Sequence, residues 1–421
     1  MAPYSQQTFM YNDIVAIVNE ELQLNAVPSV KELHEEYFVY DVATPVVGGI
    51  SRYPIPDRAI GMALRDLCYA DLQGNYNPMT RLSPENKSFF QQGSQPHGRY
   101  TQYYLRGNEI VLSQNVEPGA TGNMIFSIFL RPNQLVRNER AATIQAFQKS
   151  FVVSSAASMQ VGDYVSFTVG LQSQTPVKYV FTAVASSPGL NQFVIGANET
   201  ITATNISTAI FNASIDGVTA TASTNICTIS YNDISSTFAI FSNGIVVDND
   251  NMYVQFDNLA TTYTDPDTNQ SSVLYSVNGK VDFLQTNPGH RTYTYDIKLR
   301  QILPNNVGKF KLVDLQTYLS NSNGGVMQVS PIKVGDYICL ANECIIPQIP
   351  PELHSALAER AAARILSSMG DKDGYAISQA KIQEMDKQQA ALIGSRVDGT
   401  VRKVFNRNSL LRLGKRTPRR I

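Results

Sequence analysis

Apolar and polar positions alternate with different periods along this chain, and the changes of period mark its parts. From Phe9 to Leu24, Ile14, Ile17, Val18, Leu22 and Leu24 recur near helical spacing, with Thr8 placed to cap the helix. Tyr37–Val47 is β-rich and ends at Gly48-Gly49. Pro54-Ile-Pro56 fixes an extended lead, after which Asp57–Ala70 reads as a helix, and Ser83-Pro84-Glu85 is a helix start with Ser as cap. Tyr100–Leu105, Glu109–Leu112 and Met124–Leu130 read as strands of a meander, the first two joined by a turn at Gly107-Asn108.

From about residue 150 the composition shifts to Thr, Ser, Ala, Val and Asn, with turns at Ser187-Pro-Gly189, Asp216-Gly217 and Asn243-Gly244. One short helix over Ala203–Ala213 is expected among short strands, so 150–290 reads as an inserted, otherwise all-β domain. The earlier style resumes with strands at Tyr293–Leu299 and Asp336–Ile346. Beyond Pro347–Pro351, Leu353, Leu357, Ala361, Ile365 and Met369 fall four apart on one helical stripe. Gly370–Gly374 makes a turn, and Ile382, Met385 and Leu392 form the seam of a second helix, Tyr375–Ile393. The pair predicts an αα-hairpin, with Ala356 and Ala361–Ala363 allowing close packing. The expected fold is α+β: a mixed core built from 1–149 and 291–395, interrupted by 150–290 and followed by a basic arm, 396–421.

That arm changes the picture most. It holds Arg396, Arg402, Lys403, Arg407, Arg412, Lys415, Arg416, Arg419 and Arg420 against Asp398 alone, a charge of +8. So few apolar residues cannot offset the ordering entropy of the segment, so it is solvated or ordered by something outside its own domain. Leu410, Leu411 and Leu413 ask for an apolar pocket, which favours a protein partner over duplex DNA. Residues 151–290 carry ten acids and two lysines, a charge of −8, while the whole chain of 421 residues is at −1. Opposed charges of this kind favour contacts between an arm and a neighbouring subunit. Charged residues are 16% of the chain and hydrophobic ones 43%, so the surface relies on hydroxyls, amides and 21 Tyr, as in many assembly subunits.

Catalytic chemistry finds little footing. The histidines are His34, His97, His290 and His354, none near a cysteine in sequence, and no G-x-S-x-G elbow occurs. His34 and His354 read as surface residues. Asp265-x-Asp267-x-Asn269 begins like a calcium loop, but Gln270 and Ser276 stand where Gly and Glu are required. Cys68, Cys227, Cys339 and Cys344 form no C-x-x-C pair and are expected as reduced thiols. The amino terminus lacks the pattern of a signal peptide and no run reaches the length of a membrane span, so a soluble, intracellularly made protein is expected, with no enzyme activity, cofactor or metal.

Three segments resemble the head-to-tail connector (neck adaptor) proteins of tailed bacteriophages. They are Glu35-Glu36-Tyr-Phe-Val through Tyr53-Pro-Ile-Pro-Asp-Arg-Ala-Ile-Gly61, Pro347–His354 with the alanine-rich Ala358–Arg364, and Arg396-Val-Asp-Gly399 running into Lys403–Arg412. The segments Phe181–Gly189, Ala203–Ile206 and Val218–Thr221 are similar to a β-module of phage virion proteins. The resemblance implies a ring of about twelve copies at the capsid–tail neck of a virion, made in the host bacterial cytoplasm. In it, Arg402, Lys403, Phe405, Arg407, Asn408, Leu410, Leu411, Arg412, Lys415 and Arg416 would clasp the portal protein. Leu353, Leu357, Ala361, Ile365, Ile382 and Met385 would pack the ring through the helical hairpin. Tail or tail-nozzle proteins would meet its lower face, DNA would pass transiently through the lumen, and no membrane is involved. The alternative from another class is a tail-associated protein that binds or cleaves glycans through its β-domain.

Overall fold

The computed structural model describes residues 9–71, 76–83, 102–113, 116, 119, 122–169, 177–232, 237–241, 244–247, 250–286, 292–315, 317–320, 326–329 and 332–393. It is an α+β protein in which helices flank several mainly antiparallel sheets. Helix α1 (Tyr11–Glu21) opens at Met10, whose N–H is taken by the Asp13 carboxylate at 3.1 Å; Thr8, the expected cap, lies outside the described residues. The helix runs through a π-turn, Leu22–Ala26, into α2 (Val27–Leu33). Leu22, Val27 and Val30 from this segment form a core with Phe38, Phe129, Ile349, Leu353 and Leu357, uniting the two ends of the chain.

Val39–Pro45, Asn123–Leu130, Ala59–Ala70 and Tyr76–Pro78 make one four-stranded sheet; Arg52–Pro54, Glu109–Leu112, Gln102–Arg106 and Thr80–Arg81 make another. The expected turn is present, with Gly107 at φ 59°, and so are the three strands, but Asn123–Leu130 belongs to the first sheet and the other two to the second, so they do not form one meander. The helix expected over Asp57–Ala70 is instead the twelve-residue strand Ala59–Ala70. Gly61 and Met62 take φ of 60° and 54°, outside the right-handed helical region, and the pairing with Asn123–Leu130 shifts register there. Farther along, Leu67 and Tyr69 alternate inward against Phe126 and Ile128. Tertiary pairing overrides a composition that is good for helices.

The β-rich region is built on one long strand, Ala142–Val153. It pairs antiparallel with Tyr337–Leu340 at its start, and with Asn251–Phe256, Ile226–Tyr231 and Ile245–Val247 farther along, within a ten-stranded sheet. Position 150 thus falls inside a continuous strand. Ala142, Ile144 and Phe147 share a core with Phe151, Phe181, Ile206 and Ile338. Thr292–Lys298, Gln301–Leu303 and Val307–Lys311, all after residue 290, complete the same sheet. The sheet unit therefore spans 142–340, wider than 150–290. Its helix, α3 (Glu199–Asn212), is capped by Asn198, whose side-chain oxygen accepts the Ile201 N–H at 2.9 Å.

The strand expected over Asp336–Ile346 is divided into Tyr337–Leu340 and Glu343–Cys344 by a turn with Asn342 at φ 71°. The carboxyl-terminal hairpin follows as α4 (His354–Met369) and α5 (Lys372–Ile393). Gly370 ends α4 in the left-handed region at φ 76°, and α5 resumes at Lys372, inside the expected turn.

Candidate functional site

The hairpin that launches the carboxyl-terminal arm is held on two sides. Its apolar stripe is spent within the chain: Leu353 and Leu357 are buried against α1 and α2, and Ala361 and Ile382 are also buried. Ile365 and Met385 are half-buried. Contact of these six residues with copies of the chain is therefore confined to what Ile365 and Met385 still expose. Among the described residues, the exposed large apolar side chains of the hairpin are Met369, Tyr375 and Ile377, at its tip. The arm residues, 402 through 416, lie outside the described residues, as do His97 and His290.

Ionic contacts reinforce the hairpin. Nη2 of Arg360 in α4 donates to both carboxylate oxygens of Asp386 in α5, at 2.9 and 2.8 Å, and Lys381 faces Glu359 at 3.7 Å. Arg364 reaches back to α1, at 2.8 Å from Glu20 and 3.2 Å from the buried Glu21. Glu21 also accepts from Asn25 Nδ2 at 2.6 Å, across the π-turn. The π-turn and the hairpin enclose an open cavity of about 510 Å³, lined by Glu21, Asn25, Arg364, Ser368, Tyr375 and Gln379 among others. A second, of about 250 Å³, lies against α2 and includes Glu32, Arg360 and Asp386. Both have charged walls whose cations are already paired.

Two polar junctions tie the sheet unit to the rest. In the first, Arg58, which follows Pro54-Ile-Pro56, is buried against the wholly buried Asp282 at 3.0 Å, with Asp296 at 3.7 Å. Arg58 also donates to Asn133 Oδ1, and its guanidinium lies 5.2 Å from the Tyr295 ring centre. Asp282 takes three further hydrogen bonds, from Asn133 Nδ2 at 2.7 Å, the Asn342 N–H at 3.0 Å and the Asp296 N–H at 2.9 Å. The Asn133 N–H in turn donates to Gln348 Oε1 at 2.6 Å. Four stretches of chain meet there. Sequence reasoning passed over this group, yet it left a signal: Asp282 is the sole acid in Val281-Asp-Phe-Leu284, a run whose every side chain is buried.

The second junction uses the acidic turn that begins like a calcium loop. Asp265 accepts from Asn12 Nδ2 at 2.7 Å, and Asp267 accepts from the Asn12 N–H at 3.1 Å, within the first turn of α1. Arg137 pairs with Asp267 at 2.5 Å and lies 4.3 Å from the Tyr11 ring centre. The N–H of Asp267, then Asn12 and Arg137, hold the Asp265 carboxyl below its ordinary range. These carboxylates are engaged in a helix cap, and no group of three or more potential metal ligands occurs among the described residues.

His34 is exposed, and the His354 ring lies 3.2 Å from the Ile349 carbonyl. All four cysteines are unpaired; Cys227, Cys339 and Cys344 are buried. Burial raises the Cys227 thiol to about 12 and pushes up those of Cys339 and Cys344, which keeps all three from acting as thiolates. Among the described residues no helix is long and apolar enough to cross a membrane.

No protein-family model matches the chain, and no curated protein matches it. Among solved structures, the crystal structure of the flagellar cap protein FliD D1-D2-D3 domains from Escherichia coli aligns over 86% of this chain and 71% of that one. The identity is 7% and the TM-score 0.17, a likeness too slight to carry an argument about fold or role.

Proposed function

We propose that this chain is a structural virion protein that assembles into a ring at the capsid–tail junction and grips the portal with its carboxyl-terminal arm. The observation that carries the reading is the +8 segment 396–421, which follows within three residues of the end of α5. A strongly cationic, leucine-bearing peptide gains order by placing its guanidinium groups on carboxylates and its leucines in a pocket of another subunit. The hairpin beneath it suits that task. Leu353 and Leu357 of its apolar stripe are buried on α1 and α2, and its arginines are paired, so pulling on the arm loads the core that joins the two chain ends. The three connector-like segments support the same reading, and two of them, the one from Glu35 through Gly61 and the one from Pro347 through Arg364, contribute to the described cores.

In this arrangement Arg402, Lys403, Arg407, Arg412, Lys415 and Arg416 supply charge, while Phe405, Leu410 and Leu411 supply the apolar contact. The acidic sheet unit stays clear of the DNA path, because like charge repels the phosphate backbone. Tail proteins would meet the ring on the face away from the portal.

Deleting 396–421 tests this directly. The truncated protein is expected to keep its unfolding midpoint and its circular dichroism spectrum and to lose the complex with portal rings, read by native mass measurement. A truncated chain that joins portal rings as the full chain does refutes the arm's role.

A further inference from the structure

We infer that the face formed by the loop 185–191 and the outer side of α3 is a binding site for a neutral saccharide. Val177–Val184 and Gln192–Val194 pair in parallel, although only the loop between them connects the two. So short a parallel connection is unusual and must rise out of the sheet. Ser187 and Asn191 take φ of 52° and 57° within it, the kind of local strain that gathers where a loop is shaped for contact. The loop is pinned by the Gly189 N–H donating to Gln192 Oε1 at 2.8 Å, and α3 is pinned to the strand by Asn205 Nδ2 donating to the Val194 carbonyl at 2.9 Å.

Between loop and helix lies a cavity of about 170 Å³, the size of one sugar ring rather than of a chain segment. Asn191, Gln192, Asn205, Thr208 and Asn212 line it, and none of its lining residues is charged. The cavities beside the hairpin, by contrast, have charged walls. The two most exposed large apolar side chains among the described residues are Leu190, at 81%, and Phe211, at 68%. Leu190 is on the rim of this cavity, whereas Phe211, although next to Asn212 in sequence, does not line it.

That combination matches one chemistry. A sugar ring offers an apolar face of C–H groups and a girdle of hydroxyls that both donate and accept. Leu190 suits the first, and carboxamides, which carry a donor and an acceptor side by side, suit the second. A phosphate or sulfate would need a cation here, and a cationic ligand a carboxylate.

The test is a screen of the full chain against an array of neutral oligosaccharides of glucose, galactose, mannose and N-acetylglucosamine, with sulfated and sialylated glycans alongside. The strongest neutral ligand is then titrated calorimetrically. Leu190→Ser and Asn212→Ala are both at exposed positions, so the fold is retained. Each is expected to weaken binding about tenfold, while Val273→Ser, at an exposed apolar residue of another hairpin, leaves it unchanged. Retention of no neutral glycan, retention of charged glycans alone, or an affinity that ignores both variants overturns the inference. Deleting 396–421 leaves this binding intact, so its outcome is independent of the portal reading.

Discussion

Replacing Arg58 with alanine removes the one cation paired with Asp282 among the described residues, at a site where the carboxylate is wholly buried. At 3.0 Å and an effective dielectric of 20, their attraction is about 5 kcal/mol. Three N–H donors remain on Asp282 and recover part of that; the guanidinium's own desolvation cost disappears with it. Against this, Asn133 Oδ1 loses its donor and a side-chain-sized void opens beside Tyr295. The net expectation is a loss of about 3–5 kcal/mol, the usual range when one member of a buried pair is removed. Asp282→Asn should cost less, about 2–3 kcal/mol, because Asp296 at 3.7 Å still faces Arg58. The double variant should then be less destabilised than the two losses added together, by at least about 1.5 kcal/mol. The chain has no Trp, so urea unfolding is followed by far-ultraviolet circular dichroism and tyrosine fluorescence together. A single-variant loss below about 1 kcal/mol, or additivity within about 0.5 kcal/mol, would show that the pair does not clamp the two regions.

Leu357→Ala empties a position shared by α4, α1 and α2, and is expected to cost about 2–5 kcal/mol and to raise amide exchange in 11–33 as well as in 354–369. Exchange confined to α4 would mean that the two chain ends do not fold as one core. Burial raises Tyr295 from its usual 10.0 to about 12, so the fold favours the neutral phenol. This stability is complete below pH 10 and is lost as pH rises toward 12; urea midpoints should fall over that window, and less steeply in Tyr295→Phe. Arg137→Ala should speed amide exchange at 11–15 while leaving α4 unchanged, because it removes the side chain that bridges Asp267 to Tyr11 and Asn12 and leaves only the direct Asn12 bonds to the 265–267 turn.

The hairpins, both between strands and between helices, were legible because their information is local. Gly107-Asn108 sits between two apolar runs, and Leu353, Leu357 and Ala361 repeat every four residues beside Gly370. The strand at 59–70 was illegible because its residues are good helix formers and its partner lies some sixty residues later, at 123–130. The boundaries of the sheet unit escaped for a related reason. Composition changes near 150, whereas the spine strand keeps alternating from Ala142 to Val153, and the strand that closes its first end comes at Tyr337–Leu340. Of the hairpin residues, the apolar periodicity identified which side is buried but not against what. The covering surface is α1 and α2, more than three hundred residues earlier.

Helix α1 is the element through which these separate contacts act together. Its first turn is held by Asp265 and Asp267 of the sheet unit, and its last by Arg364 of the hairpin, so a single rod eleven residues long touches both. Each exposed ion pair contributes little by itself. The apolar core that Leu22, Val30 and Leu357 form at the hairpin end supplies the strength, while the polar caps at the other end set direction. The buried Arg58–Asp282 group closes the circuit by a second route, from the small sheets to the large one. With two independent attachments, the sheet unit cannot swing about either one alone. If the arm seizes a neighbouring subunit as proposed, it would therefore fix the direction in which the acidic sheet unit points, together with the cavity that this unit carries.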